Sequence, residues 1–203
     1  MIRLLIADDQ ALVRGALAAL LGLEHDIEVV AEVARGDEVV DAAMRTHPEV
    51  AMLDVDMPGL DGIAAAALLK AALPHCQILM VTTFGRPGYL RRAMQAGASG
   101  FVVKDTPARQ LADAVRRVAS GLRVVDATLA AETLTSGDSP LTERETDVLS
   151  AARARGSIAD IARSLHLSEG TVRNYLSSAI GKTNARNRAD AVTIAEENGW
   201  LPT

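Results

Sequence analysis

The sequence predicts two domains, an α/β domain built on a parallel sheet and, after it, a small all-α domain. Short apolar runs alternate with helical segments five times within residues 1–121. A turn-rich segment, TSGDSP at 135–140, interrupts this alternation. Beyond it, four helical segments follow one another with no strand between them. Repeated alternation is typical of a doubly wound parallel sheet with helices on both faces, whereas consecutive short helices indicate a separate helical domain.

The strands of the α/β domain are predicted from apolar runs that suit a sheet buried on both faces. They cover residues 2–7, 27–34, 50–55, 77–82 and 100–103. The helices are predicted at 10–23, 36–46, 63–72, 88–96 and 107–120. Gly97 and Gly121 suit the ends of the last two helices, and Thr106 is expected to cap the fifth, with Pro107 in its first turn. Five strands joined by short crossovers fit the flavodoxin-like order 2-1-3-4-5.

The helices of the second domain are predicted at 141–155, 157–165, 168–180 and 187–198. Thr142 and Glu145, three residues apart, form a capping box, and Ser168 precedes a helix in the same way. Residues 165–168, LHLS, join two helices by a tight turn, as in a helix-turn-helix. The predicted boundaries are 1–122 for the first domain, 123–139 for a linker with one helical piece at 127–134, and 140–203 for the second domain.

Composition limits the classes of protein to which this chain can belong. Its 203 residues are 49% hydrophobic and 23% charged, which is ordinary for a globular protein. No apolar run approaches the roughly 20 residues that a membrane span needs, so we expect no membrane insertion. Cys76 is the single cysteine, so no internal disulfide can form, which agrees with a cytoplasmic protein. The four histidines lack the spacing of a zinc site.

The charge of the chain is unevenly distributed. A net charge of −5 argues against a nucleic-acid-binding protein. Between Arg163 and Arg188, however, five basic residues stand against one acidic residue. Such a small basic patch can bind phosphates only weakly, so we expect two copies to be needed for strong binding.

Polar side chains follow four of the predicted strands at the points where the strands end. Asp8 and Asp9 follow the first strand, Asp54 comes near the end of the third, Thr82 ends the fourth and Lys104 follows the fifth. Ligands bind at the carboxyl edge of open α/β sheets, so we expect these five side chains to form a site there. Three converging carboxylates repel one another unless a cation lies among them, and their hard oxygens suit Mg²⁺.

This set of side chains suits the transfer of a phosphoryl group to a carboxylate. A carboxylate can attack phosphorus in line to give an acyl phosphate, and the reaction depends on positioning and charge neutralisation. Mg²⁺ and Lys104 would supply positive charge, and Thr82 a hydrogen bond. We therefore predict that Asp54 is the phosphate acceptor. A single aspartate at a strand end is usually a cap or a solvated residue, as we expect for the side chains of Asp56 and Asp61.

Four motifs closely resemble the receiver domain of bacterial two-component response regulators. They are ADD at 7–9, MLDVDMPGLDG at 52–62, VTTF at 81–84 and GFVVKD at 100–105. The resemblance covers residues 1–122 and implies a phosphorylated Asp54 and a sensor histidine kinase as partner. It implies Mg²⁺ bound by Asp8, Asp9, Asp54 and the backbone carbonyl of Asp56.

The same resemblance implies roles for three further residues. Lys104 would pair with the phosphoryl group. Thr82 would be the switch hydroxyl that moves to the phosphate, and Phe101 the switch aromatic residue.

The C-terminal segments LTERE at 141–145, IADIA at 158–162 and LSEGTVRNY at 167–175 resemble the LuxR-type helix-turn-helix. With a receiver in front of it, the whole chain resembles a response regulator of the NarL/FixJ family. The runs at 82–89 and 170–177 resemble the DesR-like members of that family. The resemblance implies that the partners are double-stranded DNA and, as a candidate, RNA polymerase.

The predicted helix at 168–180 is the candidate recognition helix. Arginine can pair with guanine and asparagine with adenine in the major groove, and a recognition helix places its N-terminal residues on the bases. The candidates for base reading are Arg173, Asn174 and Ser177. The candidates for phosphate contacts are Thr171, Tyr175, Lys182 and Arg188. Glu145 is expected to pair with a basic side chain such as Arg173 or Lys182.

The first and fifth helices carry more apolar side chains than one face of a sheet needs. Excess apolar surface often marks an interface, so we predict a homodimer through these two helices that phosphorylation promotes. The alternative interface is the face that bears the fourth helix, residues 89–96. Two joined DNA-binding domains would address two half-sites, and effective concentration would raise their affinity.

Two alternatives to a phosphorylated, DNA-binding regulator stay open at this point. The segment Asp54-Val-Asp56 after a strand is also found in Mg²⁺-dependent phosphatases of the haloacid dehalogenase type. Those enzymes place the motif on their first strand and need further acids downstream, whereas the paired acids of this chain come before it. A receiver-like regulator that works without phosphorylation is the other alternative, although the acidic set is complete. We predict a regulator and not an enzyme.

Overall fold

The computed structural model describes residues 1–83, 87–126, 129–130, 139–153 and 156–201. The chain divides into two compact units, residues 1–85 with 89–131, and residues 86–88 with 132–203. Within the described residues, no helix is both long enough and apolar enough to cross a membrane.

The N-terminal unit alternates strands and helices along its length. Its strands are β1 (Ile2–Ala7), β2 (Ile27–Val33), β3 (Val50–Asp54), β4 (Gln77–Thr82), β5 (Gly100–Val103) and β6 (Val124–Val125). Its helices are α1 (Ala11–Gly22), α2 (Val39–Thr46), α3 (Gly62–Ala72), α4 (Pro87–Gln95) and α5 (Ala108–Ala119), and a 3-10 turn at Gly36–Glu38 precedes α2. The five predicted strands and five predicted helices are therefore confirmed.

The six strands within the described residues are all parallel, in the order β2-β1-β3-β4-β5-β6. The predicted order 2-1-3-4-5 is confirmed, and a sixth strand, which was not predicted, extends the sheet beyond β5. The sixth strand lies in the segment predicted as a linker, where Gly100 pairs with Val124 and Phe101 with Val125. A strand of two residues is too short to show any apolar periodicity, and so the sequence pattern did not reveal it.

The two faces of the sheet have separate apolar cores, because alternate side chains of each strand point to opposite faces. In β1, Leu5 belongs to the core that also holds buried side chains of α2, α3 and α4. Its neighbour Leu4 belongs to the core that holds buried side chains of α1 and α5. Helices therefore cover both faces, as the sequence predicts, and fix the strand ends that carry the acidic residues.

The ends of the helices agree with the sequence in most places. Gly97 and Gly121 have φ values of +92° and +81° just beyond α4 and α5, a conformation that glycine adopts without strain. The prediction that Thr106 caps α5 is wrong. The residue at the N-cap position is Pro107, and no side chain caps this helix. Thr106 stands one residue too early for its hydroxyl to act as an N-cap.

The described part of the C-terminal unit consists of four helices, α6 (Glu143–Ala152), α7 (Ile158–Ser164), α8 (Glu169–Lys182) and α9 (Arg188–Glu197). The Thr142–Glu145 capping box is present, and Ser168 caps α8 by accepting a hydrogen bond from the Thr171 amide. Between α7 and α8, His166 has a φ of +54°, which lets the chain turn tightly. Buried side chains of all four helices form one core.

The helical piece predicted at 127–134 falls largely on residues outside the described part of the chain. Of that piece, Leu129 and Ala130 are described, and both are helical. Leu129 is buried in the core beneath α2, α3 and α4. The predicted linker therefore contributes a side chain to the core of the N-terminal unit.

Candidate phosphorylation site and DNA-binding face

Asp54 lies at the end of β3, where the chain turns sharply into a loop. The Gly62 amide donates to the Val55 carbonyl at 2.8 Å, which closes this loop and starts α3. A Cβ atom on Gly62 would lie 1.8 Å from the Asp54 carbonyl oxygen, so only glycine fits at this position. The Asp61 side chain caps α3 by accepting from the Ala64 amide at 2.7 Å, which is one of the two roles expected for it.

Three carboxylates meet at this edge of the sheet. Oxygens of Asp8, Asp9 and Asp54 lie within 4.8 Å of one another. Asp8 and Asp54 are buried, with 2% and 4% of their surface exposed, whereas Asp9 is exposed. The side chain of Asp56 is also exposed and lies outside this cluster. The structure thus brings together the three acids that the sequence places after neighbouring strands.

The Lys104 ammonium lies between the two buried carboxylates. Its Nζ atom is 2.7 Å from Asp54 Oδ2 and 2.8 Å from Asp8 Oδ2. Burial raises the pKa of Asp54, and the charge of Asp8 adds to this effect although the hydrogen bond from Lys104 opposes it. Burial opposes the charge of Lys104, but its hydrogen bonds to Asp54 and Asp8 outweigh this and raise the pKa of the ammonium. One ammonium among three carboxylates leaves the cluster with an excess of negative charge.

This excess of charge, together with the donor set, fits a hard divalent cation. Mg²⁺ prefers carboxylate and carbonyl oxygens and keeps water on its remaining positions. Asp8, Asp9 and Asp54 supply carboxylate oxygens, and the exposure of Asp9 leaves one side of the cluster open to water. These three residues can therefore hold such an ion.

The two candidate switch residues are both buried in strands of the sheet. Thr82 ends β4 with 1% of its surface exposed, and its backbone carbonyl accepts a hydrogen bond from the Lys104 amide at 2.7 Å. Phe101 in β5 is fully buried and pairs with Met80 of β4 in the sheet register. A movement of either side chain therefore requires neighbouring groups to repack.

Sequence reasoning missed one residue that supports the site, Arg14. Its Nη1 atom donates to the Asp8 backbone carbonyl at 2.6 Å, while the Gln10 amide donates to Asp8 Oδ1 at 2.9 Å. These two hydrogen bonds fix the chain directly after β1. Nothing in the sequence distinguishes Arg14 from an ordinary surface base on α1.

The candidate base-reading residues lie together on the exposed side of α8. Arg173, Asn174 and Ser177 are all exposed. The Arg173 Nη2 atom is 2.8 Å from a Glu169 carboxylate oxygen one turn earlier on the same helix. A groove of about 390 Å³ alongside the helix is lined by Ile158, Arg173, Leu176, Ser177, Ile180 and Arg188.

The four candidate phosphate-binding residues already have protein contacts. The Thr171 hydroxyl lies 2.8 Å from that of Ser168, and Tyr175 is half-buried against the core of the C-terminal unit. Arg188 donates to the Gly156 carbonyl at 2.9 Å. The Lys182 ammonium lies 2.8 Å from Glu145 Oε2, so Lys182 is the partner of Glu145 among the two bases that the sequence left open.

Residues 4–116 match the family of response regulator receiver domains. This chain belongs to the response regulators. Residues 139–195 match the luxR family of bacterial regulatory proteins. The predicted membership of the NarL/FixJ family, with a LuxR-type helix-turn-helix, is confirmed, and this family is one of transcription regulators.

Known relatives match this response regulator over almost its whole length. The transcriptional regulatory protein DesR of Bacillus subtilis (strain 168) is 42% identical over 201 residues, which are 99% of this chain and 100% of DesR. The crystal structure of the response regulator ChrA from a heme-sensing two-component system is 31% identical. It has a TM-score of 0.60 and covers 97% of this chain and 96% of ChrA.

A structure of the response regulator RcsB in complex with DNA also resembles this chain in fold. It has a TM-score of 0.71 and covers 97% of this chain and 98% of RcsB. At 22% sequence identity, this likeness bears on the fold alone.

Proposed function

We propose that this response regulator accepts a phosphoryl group on Asp54 from a partner sensor histidine kinase, and that phosphorylation controls its binding to specific DNA sequences. The observation that carries the proposal is the convergence of Asp8, Asp9 and Asp54, with the Lys104 ammonium bound to two of the three. Burial holds Asp8, Asp54 and the Lys104 side chain in place before a phosphoryl donor arrives, and such preorganisation is what phosphoryl transfer needs.

In the transfer, a carboxylate oxygen of Asp54 attacks the phosphorus of the kinase phosphohistidine in line. The new O–P bond forms as the P–N bond breaks, and the imidazole leaves with the electron pair of the broken bond. Lys104 already lies 2.7 Å from Asp54 Oδ2, so its ammonium can pair with a phosphoryl oxygen of the product. Mg²⁺, held by Asp8, Asp9, Asp54 and the Asp56 carbonyl, would neutralise negative charge on the phosphoryl oxygens.

The phosphorylated state is proposed to be read by Thr82 and Phe101. The Thr82 hydroxyl would turn toward the phosphoryl group, and the Phe101 ring would move with it. Both side chains are buried in closely packed surroundings, and packed cores change between discrete arrangements rather than deforming gradually. A small movement at Asp54 can therefore produce a defined structural change at the part of the protein surface that lies over β4 and β5.

Phosphorylation is further proposed to favour a homodimer through α1 and α5. A groove of about 260 Å³ between these helices has a mostly apolar lining, which includes Leu12, Leu17 and Leu20 of α1 and Leu111 of α5. Leu12 and Leu20 are 86% and 47% exposed. An exposed apolar groove of this kind is typical of a surface that another chain covers.

The DNA-binding surface is proposed to be the exposed side of α8. Arg173, Asn174 and Ser177 would contact base edges in the major groove. Phosphate contacts are proposed for Thr171, Tyr175 and Arg188. Lys182 is assigned a different role because its ammonium is already paired with Glu145.

Intact-mass measurement after incubation with acetyl phosphate and Mg²⁺ tests the phosphorylation. We expect the wild-type chain to gain the mass of one phosphoryl group, and Asp54→Asn to gain none. Asp56→Asn is the matched control, because the proposed role of Asp56 rests on its backbone carbonyl; this variant should still gain the group. Turnover of acetyl phosphate without a stable adduct would instead support the phosphatase alternative.

Binding-site selection from random DNA, with and without phosphorylation, tests the DNA-binding part. We expect the phosphorylated protein to enrich sequences with two half-sites. Enrichment of no sequence by either form would contradict sequence-specific binding.

A further inference from the structure

The network around Glu145 connects the first turn of α6 to the end of the recognition helix α8. Glu145 has 3% of its surface exposed, so its charge needs partners inside the protein. It has three. The Thr142 amide and the Lys182 ammonium donate to Oε2 at 2.7 and 2.8 Å, and the Ser178 hydroxyl donates to Oε1 at 2.6 Å.

The two partners on α8 stand four residues apart and therefore lie on the same side of the helix. Ser178 and Lys182 belong to the last two turns of α8, whereas the proposed base-reading residues Arg173, Asn174 and Ser177 come before them. A single buried carboxylate thus holds two successive turns at one end of the helix. Together with the apolar core, this contact sets the tilt and the rotation of α8 on α6, and both determine where the reading residues lie.

The pairing with Glu145 also limits what Lys182 can contribute to DNA binding. A lysine that neutralises a phosphate releases a counterion from DNA, which makes binding depend on salt. The charge of Lys182 is already balanced by a buried carboxylate at 2.8 Å. If Lys182 moved to a phosphate, that carboxylate would lose its cation inside the protein, which is strongly unfavourable.

We propose that Glu145, Ser178 and Lys182 position the recognition helix, and that Lys182 acts on DNA binding through Glu145 rather than by contacting a phosphate. The proposal rests on the proposed DNA-binding function. It identifies Lys182 and Glu145 as positioning residues whose removal has the same effect on DNA affinity.

The test uses the full-length phosphorylated chain and the DNA site selected with it. Dissociation constants are measured over a series of KCl concentrations for the wild type, Lys182→Met, Glu145→Gln and the double variant. We expect each single variant to bind its site roughly tenfold more weakly, which is the size of a coupling between contacting residues. The double variant should be no weaker than either single variant, because the two residues act as one unit.

The dependence on salt separates positioning from phosphate contact. In the positioning role, the slope of log K against log [KCl] in Lys182→Met equals that of the wild type. Loss of a phosphate contact would reduce that slope by about 0.9. A phosphate contact also predicts that Glu145→Gln, which frees the ammonium, binds DNA as tightly as the wild type or more tightly. A reduced slope together with unweakened binding by Glu145→Gln would overturn the proposal.

One further variant, Ser178→Ala, keeps the result interpretable. Ser178→Ala removes one hydrogen bond and no charge, so if Glu145→Gln does not fold, Ser178→Ala should still weaken binding at an unchanged salt slope. If Ser178→Ala leaves the affinity unchanged in that case, the proposal fails. A wild-type chain that binds no DNA would overturn the proposed function itself, whereas a wild type that binds while the variants behave as phosphate contacts overturns the positioning role alone.

Discussion

At the scale of single residues, two lysines of this chain meet carboxylates in different surroundings. Lys104 lies between Asp8 and Asp54 with Asp9 close by, so one positive charge faces three negative ones. Among the residues that the structure describes, Lys182 forms an ion pair with Glu145 only, and this pair is balanced. The first arrangement suits a site that takes up a cation and a phosphoryl group, whereas the second suits a fixed structural contact. Charge balance therefore separates the two roles more clearly than the distances do.

The balanced pair predicts how the C-terminal unit responds to acid. Burial opposes the charge of Glu145, but hydrogen bonds from Lys182, Ser178 and Thr142 outweigh it and lower its pKa to about 2. Because this folded-state pKa lies below the ordinary glutamate value of 4.5, the carboxylate stabilises the fold fully above about pH 5. This stabilisation is lost as the pH falls toward 2.

Urea unfolding followed by the fluorescence of Trp200, the single tryptophan of the sequence, measures this loss. The wild type should lose more stability between pH 5 and pH 3 than Glu145→Gln does. Asp160 and Asp190, whose pKa values are also lowered, affect both proteins alike. Equal pH dependence of the two proteins would show that Glu145 contributes nothing to the acid response.

At the scale of elements, β6 and the residues after it extend the sheet into the predicted linker. The Val124 amide donates to the Ser99 carbonyl at 3.1 Å, and the Asp126 amide donates to the Phe101 carbonyl at 3.2 Å. Leu129, 5% exposed, then enters the core. The chain that leaves the receiver is thus hydrogen-bonded to the strand that carries the proposed switch residue Phe101.

Replacement of Leu129 by alanine should loosen this segment. Removal of a buried leucine side chain typically costs about 2–5 kcal/mol. We expect hydrogen exchange of the Val124 and Asp126 amides, measured by mass spectrometry on peptides that span them, to become faster. Leu122→Ala is the control, because Leu122 is 54% exposed and its loss should leave the exchange unchanged. Equal exchange in the two variants would contradict an anchoring role for Leu129.

Long elements and the acidic edge of the sheet could be predicted from the sequence, since each depends on a pattern of several residues. Alternation placed the five longer strands, and their order brought Asp8, Asp9 and Asp54 to one edge. The features that escaped prediction depend on single contacts across the fold. Neither the pairing of β6 nor the hydrogen bond from Arg14 to the Asp8 carbonyl leaves a periodic signal.

At the scale of the whole molecule, the net charge and the proposed dimer both affect how strongly the chain binds DNA. The net charge of −5 gives the chain little general attraction to DNA, so affinity has to come from a small basic surface. In a dimer, binding of one copy places the other near the second half-site at an effective concentration on the order of millimolar. Control of dimerisation would then be control of DNA binding, with no change needed in α8 itself.

If dimerisation controls DNA binding, the substitution Leu12→Glu should reduce both. Leu12 is 86% exposed on α1, so a charge there should leave the fold and the phosphorylation of Asp54 intact. It would place a carboxylate in the apolar groove between α1 and α5 and oppose its burial in an interface. We expect the phosphorylated variant to sediment as a monomer and to bind the selected DNA at least tenfold more weakly, by the loss of effective concentration.

Leu68→Glu is the matched control for this prediction. Leu68 is 54% exposed on α3 and does not line that groove, so a charge there should preserve the phosphorylated dimer. If Leu12→Glu still dimerises on phosphorylation, the interface is not formed by α1 and α5, and the face that bears α4 becomes the surface to test. If wild-type mass does not change on phosphorylation while DNA affinity does, the signal must reach α8 without dimerisation.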